Sequence, residues 1–122
     1  MPDLTLSRAE RLRSLGAIRR MFENGESGFV FPFRYVWYAE SDELTSVRVM
    51  VSVPKKFHKR ANKRNLLRRR SKEAYRLHKE RLTIEKPTHL DLALIYSSKE
   101  VLSYKTINHA ICKILDTIAQ NI

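Results

Sequence analysis

Cysteine, glycine and long apolar runs are scarce in this chain, and each scarcity excludes a class of structure. Cys112 is the single cysteine among 122 residues, so no internal disulfide and no zinc site built on cysteines can form. No apolar stretch approaches the roughly 20 residues that a membrane-spanning helix requires. Residues 1–14, MPDLTLSRAERLRS, lack the apolar core of a signal peptide. The sequence therefore predicts a cytoplasmic protein with no membrane as its partner.

Motifs of catalysis and of metal binding are also missing. The chain has four histidines, at His58, His78, His89 and His109. They fall in no HExxH or other ligand spacing, so each is expected to be a surface or helix-capping residue. Only three glycines are present, with no glycine-rich phosphate loop, and no Ser–His–Asp arrangement is visible. The sequence thus predicts no catalytic residue and no metal site in the protein itself.

Length and composition describe one basic globular domain. A chain of 122 residues with 43% hydrophobic and 30% charged residues is long enough for one core and too short for two, so one domain is expected over residues 1–122. The formal net charge is +11, and the pI is about 10.2. Such an excess of positive charge favours a polyanion as the partner.

The positive charge is concentrated in one segment, Lys55–Lys72, with the sequence KKFHKRANKRNLLRRRSK. Ten of the chain's 24 Lys and Arg residues lie there, and the segment contains no acidic residue. A solvated helix face normally mixes charges in i,i+4 pairs, whereas Glu73 and Glu80 are the only acids between Lys55 and Arg81. A run of cations that repel one another is typical of a nucleic-acid-binding surface.

Apolar periodicity predicts three helices. Apolar residues at three- and four-residue steps indicate a short helix over Gly16–Asn24, and Gly25 ends it. A second, basic helix is predicted over Ala61–Arg81. The third begins near the N-cap residue Ser103. Its predicted buried stripe consists of Ile107, Ile111, Ile114, Leu115, Ile118 and Ile122.

Alternating apolar residues predict three strands, at Phe29–Tyr38, Val47–Val53 and Leu90–Tyr96. The first two are expected to form a hairpin through a turn at Ser41–Thr45, and Pro32 is expected to start the first strand or to lie at a sheet edge. In that strand Phe33, Tyr35 and Trp37 are predicted to face the core. Arg34, Val36 and Tyr38 are predicted to face solvent or a ligand. The resulting fold class is α+β, a single sheet packed against helices.

The basic helix should have two faces. At 100° per residue the side chains of Arg64, Asn65, Arg68, Arg69, Lys72 and Arg76 fall on one side, as a strip of cations with one amide. Leu66, Leu67, Ala74 and Leu77 fall on the other side, which is predicted to pack on the sheet. Lys63 and Arg70 project from the apolar side, so either they extend past the edge of the core or the helix has a different start or packing angle.

These residues resemble a family motif. A strand that ends in Val51–Lys56 is followed by Arg64-Asn65-Leu66, by Arg68-Arg69 and by Lys72-Glu73-Ala74-Tyr75. This order resembles the bacterial ribonuclease P protein subunit, whose helix carries an Arg-Asn-Arg core after a Lys-Lys pair. The chain departs from the family at Leu66, where the third motif residue is usually Arg, and it has one extra residue between Lys56 and Arg64. The first helix also resembles the family's, with Ile18 where a Phe is common.

The resemblance implies a protein subunit of the ribozyme that removes the 5′ leader of precursor tRNA, with the catalytic centre in the RNA subunit. It implies contacts with that RNA for Lys55, Lys56, Arg64, Asn65, Arg69 and Arg76. It implies a leader-binding cleft of Ile18, Phe22, Arg34, Val36, Tyr38, Arg68 and Lys72. Magnesium is expected in the complex, held mainly by RNA and not by the protein alone.

The implied fold is a ribosomal-protein-like two-layer sandwich, with a left-handed crossover from the Val47–Val53 strand through the basic helix to the Leu90–Tyr96 strand. Parallel crossovers in general are right-handed in about 98% of cases. A small basic ribosomal protein that binds folded rRNA remains the alternative function. A DNA partner is not expected, because the basic helix lacks the short preceding helix of a helix-turn-helix motif.

Overall fold

A mixed four-stranded sheet lies at the centre of the computed structural model, which describes residues 8–122. The strands are β1 Glu26–Val30, β2 Phe33–Ser41, β3 Ser46–Ser52 and β4 Thr88–Tyr96. The helices are α1 Leu15–Asn24, α2 Ala61–His78 and α3 Tyr104–Asn121, with 3₁₀ turns at Arg8–Glu10 and Lys79–Arg81. The α+β class is confirmed. The single-domain prediction stays a prediction, and its part at residues 1–7 lies outside the described residues.

The strand order is β1-β2-β4-β3, which differs from the predicted hairpin. β2 pairs antiparallel with β1 and β4, and β3 pairs parallel with β4. The predicted Phe29–Tyr38 strand is two strands, because the chain turns at Phe31–Pro32 between β1 and β2. β4 takes the place expected for β3 because it is apolar and buried on both faces, as a central strand must be. The parallel β3-α2-β4 crossover is confirmed, while its left hand stays a prediction.

The main core lies between one sheet face and the helices α2 and α3. Phe33, Tyr35 and Trp37 of β2 point into it, as predicted from their alternation. From α3 it receives Ile107, Ile111, Ile114, Leu115 and Ile118. The Oγ atom of Ser103 accepts a hydrogen bond from the Thr106 backbone N at 3.3 Å, which confirms Ser103 as the N-cap. The sixth residue of the predicted stripe, Ile122, follows the helix and is 40% exposed.

A second core lies on the opposite sheet face, beneath α1. Ala17 and Met21 of α1 pack there with Val36 of β2 and Ala93 of β4, and all four are buried. Val36 was predicted to face solvent or a ligand. It does not face solvent, because α1 covers this part of the sheet face. The alternation itself is confirmed, since Arg34, Val36 and Tyr38 lie opposite the main core.

The end of α1 depends on a glycine in tight surroundings. The predicted helix is confirmed to within one residue, with Ser14 as N-cap and the Gly25 N–H donating to the Met21 carbonyl at 2.8 Å. A Cβ atom at Gly25 would lie 2.5 Å from the Trp37 carbonyl oxygen and as close to the Met21 oxygen. Neither backbone atom can move without disturbing α1 or β2.

Gly25→Ala should therefore lower the free energy of unfolding by about 1–3 kcal/mol, through overpacking against backbone. The matched control is Gly16→Ala. Gly16 is exposed within α1, and its nearest neighbour is the Ser14 Oγ at 3.8 Å. In this control the free energy of unfolding should rise by up to about 1 kcal/mol, because alanine has a higher helix propensity than glycine. Urea titration measures both changes, and an unchanged midpoint for Gly25→Ala would contradict the close approach.

Helix α2 packs through a face rotated by roughly 75° from the predicted one, at 100° per residue. Its buried residues are Leu67, Ser71, Ala74 and Tyr75. Leu66 is half-buried and Leu77 is 40% exposed. Ser71 enters the core because its hydroxyl donates to the Leu67 carbonyl at 2.8 Å, which satisfies it without water. A pattern that weighs only apolar residues cannot detect this.

Two of the four histidines are buried, which contradicts their predicted surface or capping roles. The Nε2 atom of His58 lies 2.7 Å from the Ser98 carbonyl, and its ring packs edge-on against Tyr96. The Nδ1 atom of His89 lies 2.8 Å from the Ser46 hydroxyl. Both histidines therefore join segments distant in sequence, which no local spacing reveals.

Candidate nucleic-acid interface

The cationic strip of α2 forms one wall of an open groove of about 490 Å³. The groove is lined by Arg11, Asn65, Arg68, Arg69, Lys72, Glu73 and Arg76. Five of these seven residues are cations, and five of the seven were assigned to RNA contact from the sequence. The structure therefore brings Asn65, Arg69 and Arg76 together with two residues assigned to the leader cleft, Arg68 and Lys72.

The opposite wall comes from the N-terminal segment, which sequence reasoning missed. The Leu12 N–H donates to the Val49 carbonyl at 2.9 Å, and Arg11 forms a parallel bridge with Val49. Leu12 is 5% exposed, whereas Arg11 and Arg13 on either side are exposed. Alternation of cation, apolar residue and cation over residues 11–13 is the signal that would have indicated a strand-like segment.

The pKa of Lys72 reflects how close these cations lie to one another. Its pKa lies below the ordinary lysine value, first because burial removes water from the ammonium group, then because Arg68, Arg11 and Arg13 repel its charge. Arg13 immediately precedes Ser14, the N-cap of α1. The cations of the groove and Arg13 therefore lie close enough to repel one another, and an anion such as phosphate would stabilise them.

Several strip residues are positioned by hydrogen bonds. The Arg68 Nη1 donates to Asn65 Oδ1 at 3.1 Å. Arg76 donates to Glu73 at 2.5 Å, and this bond is the first cause of the raised Arg76 pKa. Arg70 donates to the Leu102 carbonyl at 2.6 Å, so its side chain extends past the core edge toward α3, as expected.

Arg64, Lys55 and Lys56 lie at the N-terminal end of α2. The Arg64 Nη1 donates to the carbonyls of His58 at 3.1 Å and Lys59 at 2.7 Å, so Arg64 also holds the loop before the helix. Lys55 and Lys56 are exposed in that loop, and the Lys56 Nζ lies 5.0 Å from the centroid of the Phe57 ring. All three precede the groove residues of α2 in the sequence, and none of them lines the groove.

Helix α1 separates the remaining predicted cleft residues into two flanks. Ala17 and Met21 point at the sheet. Ile18 and Phe22 lie on one flank of α1, and Arg20 lies on the opposite flank, because residues two positions apart are separated by about 200° around a helix. Ile18 is half-buried, and Phe22 is 45% exposed. Arg34 is exposed on β2. Val36 is buried under α1, so of these predicted cleft residues it is the one without an open surface.

Tyr38 lies on the Arg20 flank of α1. Its hydroxyl donates to Glu40 Oε2 at 2.9 Å, and the Arg20 guanidinium lies 5.1 Å from the centroid of its ring. The hydrogen bond to Glu40 is the first cause of the raised Tyr38 pKa. Arg20 therefore already occupies one face of this ring, unlike the more open Phe22 ring.

A buried carboxylate anchors this flank. Asp91 of β4 is 0% exposed, and its Oδ1 lies 3.0 Å from the Arg48 Nε and 2.9 Å from the His89 Nε2. The Arg20 Nη2 lies 3.9 Å from its Oδ2, and Arg20 also lies 3.5 Å from Glu40. Through Arg20, the position of α1 is tied to the sheet.

A wider cavity of about 710 Å³ lies where β2 ends and β4 begins. Glu26, Glu40 and Glu85 line it together with Lys86. Three carboxylates repel phosphate, so the cationic groove is the better candidate for a nucleic-acid interface despite its smaller volume.

Over residues 8–122, no group of three or more His, Cys, Asp or Glu side chains could hold a metal ion. No helix within that range is long and apolar enough to cross a membrane.

Comparisons with known proteins agree on one family. Residues 6–119 match the family model for Ribonuclease P. The Ribonuclease P protein component of Porphyromonas gingivalis strain W83 is 35% identical over 125 residues, which cover 99% of this chain and 91% of that protein. The protein of strain ATCC 33277 is 36% identical over 121 residues, which cover 96% and 88%.

Solved structures agree on the fold. The ribonuclease P protein of Thermotoga maritima matches with a TM-score of 0.71 and 23% identity, covering 88% of this chain and 96% of that one. The Staphylococcus aureus protein matches with a TM-score of 0.65 and 20% identity, covering 93% and 97%. The match along nearly the whole chain favours this family over the alternative of a ribosomal protein. This chain belongs to the ribonuclease P protein family and is a protein component of the enzyme that processes the 5′ end of tRNA.

Proposed function

We propose that this protein binds the catalytic RNA subunit of ribonuclease P through Lys55, Lys56, Arg64, Asn65, Arg69 and Arg76, and that it binds the 5′ leader of precursor tRNA. The leader would lie in a cleft of Ile18, Phe22, Arg34, Val36, Tyr38, Arg68 and Lys72. Cleavage takes place on the RNA subunit, in the cytoplasm. The groove in which α2 and the N-terminal segment bring five cations together is the observation that carries this proposal.

The groove suits a folded RNA backbone. Phosphate contacts fix the position of a protein on nucleic acid without reading its sequence. The surface formed by Arg11 and Arg69 is exposed, so it can meet phosphates with little rearrangement of the protein. Arg64 supports this surface from the end of α2, because it orders the loop that carries Lys55 and Lys56.

The cleft suits a single strand. An unstacked leader presents bases and phosphates together, and proteins bind such strands with aromatic rings beside cations. Phe22 offers a partly exposed ring and Arg34 an exposed guanidinium on the sheet face that α1 covers only in part. Arg13, which precedes α1, is close enough to Lys72 for its charge to lower the pKa of Lys72, so cations of the groove lie near the start of this helix.

Magnesium ions in the complex would be held mainly by RNA. The side-chain oxygen atoms in the groove belong to Asn65 and Glu73, and both accept hydrogen bonds from arginines. Hard cations prefer several oxygen ligands, which this set does not supply. The role of the cations in the groove is instead to neutralise phosphates, so that the RNA fold requires less free magnesium.

Reconstitution tests the proposal. Purified protein alone should cleave no precursor tRNA, whereas the protein added to ribonuclease P RNA should accelerate leader removal at low magnesium. Initial rates are measured for RNA alone, protein alone and both together, over a magnesium titration. Cleavage by protein rigorously freed of RNA would contradict the assignment of catalysis to RNA. Equal rates with and without protein at every magnesium concentration would contradict the proposed role.

A further inference from the structure

The wider cavity of about 710 Å³ is acidic on a chain whose formal net charge is +11, and we call it the acidic cavity. The carboxylates of Glu26, Glu40 and Glu85 line it, and Lys86 is the one cation in its described lining. Glu40 is paired with Arg20, whereas Glu26 and Glu85 are exposed and form no ion pair within residues 8–122. Helices α1 and α3 both end at this cavity, and the carboxyl end of a helix is partly negative. The acidic cavity therefore suits a positively charged ligand.

An indole N–H without a partner also belongs to the acidic cavity. Trp37 lines the cavity and is 8% exposed, so its side chain is almost wholly buried. Its Nε1 donates no hydrogen bond to any residue in the range 8–122. Among the residues of that range that are not exposed, the Nε of Arg20 is the one side-chain nitrogen or oxygen that lacks both a partner and solvent contact. The Trp37 Nε1 therefore keeps an open surface, from which it can donate to a ligand in the cavity.

The acidic cavity lies beside a free edge of the sheet. Glu26 is the first residue of β1, and β1 pairs on one side only, with β2. Alternate residues of an edge strand direct their backbone N–H and C=O groups away from the sheet. No described segment pairs with these groups, whereas Arg11 and Leu12 cover part of the opposite edge, at β3. An extended segment of another chain can therefore pair with β1 and reach the cavity.

RNA in the groove would leave the acidic cavity accessible. Helix α2, which carries the groove, contacts β3, whereas α3, which ends at the cavity, contacts β1 and β2. β1 and β3 are opposite edges of the sheet, and three interstrand steps of about 4.8 Å separate them by roughly 14 Å. This distance exceeds the Debye length of about 8 Å at physiological ionic strength. The cations of the groove therefore repel a basic ligand of the cavity only weakly.

We propose that the acidic cavity binds a lysine or arginine side chain from an extended segment of a partner protein. The charged end of that side chain meets the carboxylates of Glu26 and Glu85, and a backbone carbonyl of the segment accepts a hydrogen bond from the Trp37 Nε1. The rest of the segment pairs with the free edge of β1. An aliphatic polyamine would also meet the carboxylates, but its protonated nitrogens cannot accept a hydrogen bond. This interaction does not depend on the proposed RNA and leader binding.

The chain has one tryptophan, Trp37, so tryptophan fluorescence of the purified protein reports on the acidic cavity. The probe is a capped synthetic peptide, Thr-Val-Arg-Val-Thr, and its matched control has Gln in place of Arg. The Arg peptide should shift the Trp37 emission in a saturable way, and the Gln peptide should bind roughly 10-fold more weakly. Added salt should weaken binding of the Arg peptide only. N-methylation of one alternate set of peptide nitrogens should also weaken binding, because only one set faces β1.

Two double variants test the carboxylates. Glu26→Gln with Glu85→Gln should weaken the Arg peptide roughly 10-fold. The matched control, Glu43→Gln with Glu80→Gln, removes the same charge from exposed residues outside the cavity and should bind the peptide like wild type. Both double variants should bind ribonuclease P RNA no less tightly than wild type, which separates this interaction from the proposed function. Circular dichroism confirms that each variant is folded.

Other results would overturn the assignment. Unchanged Trp37 emission with the Arg peptide, or equal affinities for the two peptides, would show that the cavity does not select a basic side chain. An equal response to free spermidine would assign the cavity to a small cation. Wild-type dimers in sedimentation velocity that Glu26→Gln with Glu85→Gln abolishes would make a second copy of this chain the occupant. Weaker RNA binding by that variant alone would make the cavity part of the RNA interface.

Discussion

The triple variant Arg11→Gln, Arg69→Gln and Lys72→Gln should bind the complex of ribonuclease P RNA with precursor tRNA roughly 100-fold more weakly than wild type near physiological salt. Each lost phosphate contact lowers the salt slope by about 0.7–0.9, so three lower it by about 2–3. All three side chains are exposed in the groove, and the substitution keeps their polarity. The fold should therefore be unaffected. Binding titrations at several salt concentrations give both quantities.

The matched control removes the same charge elsewhere. Lys99, Lys105 and Lys113 are exposed on α3 and the loop before it, outside the groove. Their replacement by Gln should change RNA affinity far less, because distant charges act only through screened long-range attraction. Equal losses for the two triple variants would show that net charge, not the groove, determines binding. An unchanged salt slope for the groove variant would remove the groove from the interface.

Local chemistry predicted the helices and their chemical character well. Helix α1 ends at Gly25 and α3 begins after Ser103, as their caps indicate. The cationic strip was visible because ten cations without an acid are unusual in a segment of eighteen residues. The alternation of β2 was correct because its period of two survives any strand order.

The strand order and the complete set of site residues could not be predicted, because both depend on pairing between strands distant in sequence. Residues 41–45 suggest a hairpin, yet β4 lies between β2 and β3, and only burial on both of its faces explains this order. Arg11 reached the groove through a backbone bridge to Val49, and the only trace of this bridge in the sequence is the short alternation over residues 11–13. Phe29 was assigned to one long strand with Tyr38, so its place on a separate edge strand was missed. The full set of residues in the candidate site could therefore be identified only from the fold.

Arg48→Met should produce the largest loss of stability, about 3 kcal/mol, because it leaves the buried Asp91 carboxylate without its closest guanidinium. The Arg48 side chain is 27% exposed, which places the expected loss at the low end of that for buried pairs. Arg20→Met should cost about 1 kcal/mol or less, since Arg20 is 40% exposed and lies 3.9 Å from Asp91. Urea denaturation of the purified protein measures both values.

The double variant Arg48→Met with Asp91→Asn decides the cause of that loss. If an unpaired buried charge is responsible, removing the carboxylate should recover a large part of the 3 kcal/mol estimated above for Arg48→Met. Arg20 would then lose its anchor on β4, so the double variant should be more stable than Arg48→Met and still bind precursor tRNA less well than wild type. Equal stabilities of the single and double variants would mean that Arg48 stabilises the sheet by packing alone. In that case Asp91 would not be the group that fixes α1, and with it the cleft, on the sheet.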